Sequence, residues 1–268
     1  MRSITRVTGC SINTVTKLLE DAGRACAAFH DENVRSVKAS KVQCDEIWSF
    51  CAAKEKNVPE MKKPVDGAGS VWTWTAIESD SKFIVSWLVG SRDAACANEF
   101  MSDVAARLAT PVQLTTDGLK SYLEAVEGAF GADVDFAQLV KLYGDEAGPG
   151  PERKYSPGVC TGARKMPIEG EPDPKYISTS HVERHNLTMR MSMRRFTRLT
   201  NAFSKKIENH CHALALYFVF YNFCRIHKTL RMSPAMAAGV STTLHDMEWI
   251  CGLMDARAPK TGRPNKNT

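Results

Sequence analysis

The sequence predicts an α/β protein: one mixed sheet flanked by helices, with a small helix-turn-helix in front of it. Three observations predict this. Runs rich in Val, Ile, Trp and Phe occupy 41–51, 71–78 and 82–90 and read as strands. Helical and strand-like segments then alternate, so the order βββαβαβα suits one sheet with helices on its faces. The first 23 residues read helix, tight turn, helix.

In that N-terminal unit SITRVT is the first helix, and Gly9 supplies a turn where φ > 0 is free. Ser11 is a good N-cap for INTVTKLLEDAG, in which Ile12, Val15, Leu18 and Leu19 form an apolar stripe that Gly23 ends. Asn13, Thr14 and Lys17 lie on the outer face, where a DNA-reading unit would present them. The alternative is a helical pair that only packs. Such a unit usually follows a supporting helix, so the segment reads as a shortened form. Residues 24–40 read as a helical connector.

The core begins with the three strands, the last two joined by the polar turn SDSK. AACANEFMSDVAARL is a helix, PVQLTTDG a short strand, LKSYLEAVEGAFG a helix and VDFAQLVKLYG a fifth strand. Residues 144–180 hold six of the twelve prolines and six of the seventeen glycines, and read as a long irregular surface insertion. Two long helices follow at 181–200 and 203–224, then a turn with a short helix in HKTLRMSPAMAAGV. The divisions expected are 1–38 for the N-terminal segment, 39–240 for the α/β core with its insertion 144–180, and 241–268 for a C-terminal helix and basic tail.

The 268 residues, 43% hydrophobic, suffice for a full core. No run approaches the length of a membrane span, and MRSITRVTGC lacks the apolar core of a signal peptide, so a cytoplasmic protein with no membrane partner is expected. The nine cysteines contain no C-x-x-C pair and read as reduced thiols. Net charge is only +5, but Arg184 to Lys206 carries seven Lys/Arg and no acid. That concentration points to a polyanionic partner.

Three acids stand out. Asp45 lies in the strand run VQCDEIWSFC, on the face of Gln43 and Ile47, while Cys44 and Glu46 face the other way. A carboxylate in a central strand must be paired or metal-bound. Asp117 ends the run VQLTTDG, where it also suits a turn, and Glu183 opens the basic helix, where it also complements the dipole. With the first and fourth strands adjacent and the last helix packed across them, the three acids come within reach of one another. Carboxylates gathered so closely need cations to stay ionised, and form the hard-oxygen cage that Mg²⁺ or Mn²⁺ uses in phosphodiester chemistry.

DEIWSF, TTDGLKSY and HVERHNLTMRMSMRRFTRLTNAF resemble the three acidic motifs of bacterial DDE transposases, and are most similar to the insertion sequence 1 family. WTWTAI and YNFCRIHKTLRMSPAMAAGV fit the same group, so the resemblance covers roughly residues 41–240. It implies an RNase H-like core within the retroviral integrase superfamily, two Mg²⁺ or Mn²⁺ ions, and Asp45, Asp117 and Glu183 as catalytic metal ligands. It implies metal-dependent cleavage of transposon ends and strand transfer into target DNA, by a homo-oligomer on DNA. Enzymes of this kind often carry Lys or Arg seven residues after the glutamate, here Arg190. Seven residues turn about 700° and rise about 10.5 Å, so Arg190 stacks above Glu183, with Asn186 on the same face as a positioning residue. Arg194, one turn further, extends a phosphate track that Arg195, Arg198, Lys205 and Lys206 continue. His181 and His185 are read as positioning or solvent-facing groups, and Met189, Met191, Met193 and Phe196 as packing. Two other readings stay open: a non-catalytic DNA-binding repressor derived from a transposase, and an RNase H-like structure-specific nuclease.

Overall fold

The computed structural model describes residues 1–144, 160–197 and 201–258. It is an α/β protein with one six-stranded mixed sheet. The strands are β1 Lys41–Cys51, β2 Gly69–Glu78, β3 Ile84–Gly90, β4 Val112–Asp117, β5 Val134–Tyr143 and β6 Cys160–Glu169, in the spatial order β3-β2-β1-β4-β5-β6. The helices are α1 Arg2–Thr8, α2 Ile12–Asn33, α3 Ala94–Arg107, α4 Ser121–Phe130, α5 Ser180–Ser192, α6 Ile207–Val219, α7 Pro234–Ala237 and α8 Met247–Arg257.

β1 is central. It pairs antiparallel with β2 and parallel with β4, so the first and fourth strands are neighbours as expected. Alternation along β1 divides its side chains between two apolar layers. Cys44 joins Trp74, Phe100, Tyr122 and Phe136 in one. Ile47 joins Ile77, Val182, Leu214 and Phe218 in the other, under α5 and α6.

The N-terminal turn forms as read. Gly9 adopts φ 73°, and Ser11 accepts a hydrogen bond from the Thr14 amide. Gly23, however, does not end the helix; α2 runs on to Asn33. A Cβ on Gly23 would stand 2.4 Å from the Cβ of His212, so this glycine is where α2 and α6 cross most closely. Of the apolar stripe, Val15 is buried, whereas Ile12 and Leu18 stay largely exposed.

The span 144–180 is not irregular throughout. Cys160–Glu169 forms β6, antiparallel to β5 at the sheet edge. It contains Arg164, Lys165 and Pro167 and buries almost nothing, so it lacks the apolar alternation that marks a strand. Charge and proline are what an edge strand uses to avoid further pairing. Residues 145–159 of the expected insertion lie outside those described.

The two long helices are shorter than their sequence pattern. α5 stops at Ser192, because Met193 is extended at φ −124° and ψ 106°, and one 3₁₀ turn, Arg194–Phe196, follows. Arg194 is therefore not one α-helical turn beyond Arg190. α6 passes at Phe220 into a wider π turn, Phe220–Cys224. Ser233 caps α7, which has proline in its first turn. Arg257, at the end of α8, pairs with Glu32 of α2, and tail residues 259–268 lie outside those described. Among the described residues no helix is long and apolar enough to cross a membrane.

Candidate metal centre

The β1–β4 ladder sets the site. Its pairs are Lys41 with Gln113, Val42 with Leu114 and Gln43 with Thr115. Continued by two residues, the same register puts Asp45 opposite Asp117, where the two strands part. Glu46 points to the other face, yet the opening lets its carboxylate come round. Oxygens of Asp45, Glu46 and Asp117 all lie within 4.8 Å of one another.

Gln43 docks the third element. Its side-chain oxygen accepts hydrogen bonds from the backbone amides of His181 (2.8 Å) and Val182 (3.2 Å). These are free first-turn donors of α5, which has no side-chain cap of its own. One turn on, Asn186 donates to Asp45 Oδ2 at 2.8 Å. Glu183 thus lies near the strand, but outside the tight group of acids. It accepts from the Thr179 hydroxyl and pairs with Lys141 of β5 at 2.5 Å.

Two cations balance the acids. Arg92 donates to Glu46 Oε2 at 3.0 Å and to Asp117 Oδ2 at 3.4 Å. Asp117 Oδ1 accepts from the Leu119 amide, so it also serves as a turn residue. Lys141, though partly desolvated, is held more strongly protonated by Glu183. The Glu46 side chain is only 1% exposed. The buried Tyr122 hydroxyl stands against it and holds its carboxyl down, although neither this hydroxyl nor Glu46 Oε1 completes a hydrogen bond of good geometry.

The charge is poorly supported. Burial, then Glu46 and Asp117, then Glu183 push the Asp45 carboxyl up to about 7. Burial and Asp117 also raise Glu46. Desolvation with like charges is what a bound cation would relieve. The donor set fits a hard divalent ion: three carboxylates within one ion's reach, and a buried oxygen with no partner.

No family model matches the chain, and no curated protein matches it at a significant level. The site therefore stands on its own geometry.

The other residues singled out in the sequence are placed as follows. Arg190 is exposed on α5, and Arg194 is exposed just beyond it. Arg195 turns inward, donating to Ser204 Oγ and to the Asn209 carbonyl. Lys205 and Lys206 are exposed before α6, and Arg198 lies outside the described residues. Asn13, Thr14 and Lys17 are exposed on α2, with Lys17 paired to Asp21. His181 contacts Lys82, and His185 is buried among Tyr217, Phe218 and Tyr221, where burial lowers its pKa to about 3. Met189 and Phe196 pack inward, whereas Met191 is exposed.

Glu46, Arg92 and Lys141 escaped the sequence reading. Alternation turns Glu46 away from Asp45, so the sequence pattern alone assigns it to the opposite face. Its signal was a second carboxylate inside an apolar run. Arg92 and Lys141 gave no signal separable from ordinary surface cations.

Proposed function

We propose that this chain is a DNA transposase with an RNase H-like core, in which α1 and α2 form a helix-turn-helix that reads transposon ends. One observation carries the reading. A mid-strand acid, Asp45, and a strand-end acid, Asp117, meet across the β1–β4 pair, while α5, which carries Glu183 outside that tight group, fixes Asp45 through Asn186. The motif resemblance supports the same assignment.

Asp45, Asp117 and Glu183 would hold Mg²⁺ or Mn²⁺, two ions in all, and Glu46 lies within 4.8 Å of the two aspartates. When bound, the ions supply Lewis-acid stabilisation of the attacking and leaving oxygens. Asn186 orients Asp45, Arg92 holds Asp117 and Glu46, and Gln43 keeps α5 at the strand. Water opens the phosphodiester at the transposon end and frees a 3′-OH. That 3′-OH then attacks a target phosphodiester, joining to its 5′-phosphate and releasing the target's 3′-OH, so no covalent protein intermediate forms. Arg190, Arg194, Lys205 and Lys206 hold backbone phosphates, and Asn13, Thr14 and Lys17 face the end sequence. Both ends must be paired, which calls for a homo-oligomer on DNA.

A second reading is a repressor that occupies the ends without cutting them. What favours it is that Lys141 already neutralises Glu183, and Arg92 already neutralises Asp117. Footprinting and end cleavage on the same terminal repeats separate the two. Protection with Mg²⁺-dependent nicking supports the transposase, whereas protection with no nicking supports the repressor.

A further inference from the structure

An aromatic strip leads away from the acids, on the sheet face of Glu46. The β1–β2 register pairs Glu46 with Trp74 and, two residues on, Trp48 with Trp72, so the two partly exposed indoles stand side by side on that face. The Arg92 guanidinium, which bonds Glu46 and Asp117, also lies 4.9 Å over the Trp72 ring. Trp48 meets Phe50 at 5.8 Å, and Phe50 meets Phe203 at 4.7 Å. Lys205 caps the far end, 3.6 Å over the Phe203 ring. The order along the surface is cation, four rings, cation, and it starts at the candidate metal centre.

Packing alone does not account for this. Aromatic rings of a core are covered by apolar neighbours, but Trp48, Trp72 and Phe203 keep part of their surface open, and Arg92 and Lys205 are exposed. Rings flanked by cations form the kind of surface that single strands use, with bases stacked on rings and phosphates on cations. Intact duplex cannot use it, because paired bases keep their faces inside the stack.

We infer that Trp48, Trp72 and Phe203 bind unpaired DNA bases next to the phosphodiester that the acids address. This rests on the proposed function and narrows its substrate to ends with extruded or frayed bases.

The test is binding by the full chain in EDTA, read as anisotropy of a fluorescein-labelled twelve-nucleotide oligo(dT) and of a blunt twelve-base-pair duplex. Trp48→Ala and Trp72→Ala should each weaken oligo(dT) binding about tenfold and leave duplex binding unchanged. Trp48→Phe and Trp72→Phe, which keep a ring, should bind oligo(dT) close to wild type. Three results would each overturn the inference: alanine variants that hold oligo(dT) like wild type, phenylalanine variants as weak as the alanine ones, or equal losses on single strand and duplex. Without divalent ions no cleavage is read, so absence of nicking in Mg²⁺ would sink the proposed function and leave this result standing.

Discussion

Asp45 sits where the chain supports its charge least. Burial, Glu46, Asp117 and Glu183 all oppose ionisation, and its carboxyl rises from 3.8 to about 7. An acid whose folded pKa is raised adds stability that is fully present below the unfolded value and is lost as pH climbs through the folded one. Without divalent ions, wild type should therefore lose stability between about pH 4 and pH 7 relative to Asp45→Asn. The asparagine still offers Asn186 an oxygen but never ionises. Melting both proteins in EDTA at pH 4 and pH 8 checks this: a similar gap in Tm at both values would contradict the site. Glu46 teaches the same lesson from the sequence side. Residue type and alternation single out Asp45 and Asp117, but only where β1 and β4 part beyond Gln43 does Glu46 come within reach of those two.

At the scale of elements, two polar or small residues fix where helices lie. Gln43 reaches from β1 to two amides at the start of α5. Gln43→Ala leaves those donors unsatisfied and should cost about 1–3 kcal/mol in a urea titration. Unchanged stability would mean that α5 is held elsewhere. Gly23 permits the α2–α6 crossing. Alanine is the better helix former by about 0.5–1 kcal/mol, but its Cβ would meet His212 atoms at 2.4–2.6 Å, backbone among them. Overpacking of this kind costs about 1–3 kcal/mol, so Gly23→Ala should lower the urea midpoint. A raised midpoint would show that the crossing can relax. Gly23 reads as a helix stop because glycine has two uses, and sequence alone does not show a packing neighbour as distant along the chain as His212 in the way that it shows a turn. The same limit hid β6. Its partner β5 was legible from apolar residues, whereas β6 borrows its register from β5 and keeps charge and proline on its edge.

Across the whole molecule, the sheet order decides what can meet. Placing β1 between β2 and β4 puts the first acid beside the second, and α5 returns to that same strand despite the 65 residues separating Asp117 from Glu183. This much of the architecture followed from the strand and helix pattern. Arg190 on α5, Arg194 just beyond it, and Lys205 and Lys206 before α6 are exposed cations that the proposed function assigns to DNA phosphates. If Arg190 holds a phosphate, Arg190→Ala should lower the slope of log affinity against log salt by about 1 on transposon-end duplex, with little change in sequence preference. An unchanged slope would remove Arg190 from the phosphate track. The central claim is that the acids form a divalent-cation site for phosphodiester cleavage. Its most direct measurement is release of a 3′-OH from DNA carrying the element's terminal repeats, with Mg²⁺ and with EDTA. The account predicts release by wild type in Mg²⁺ only, and loss of at least about a hundredfold in Asp45→Asn, Asp117→Asn and Glu183→Gln. Wild-type release from any of these three variants would contradict it.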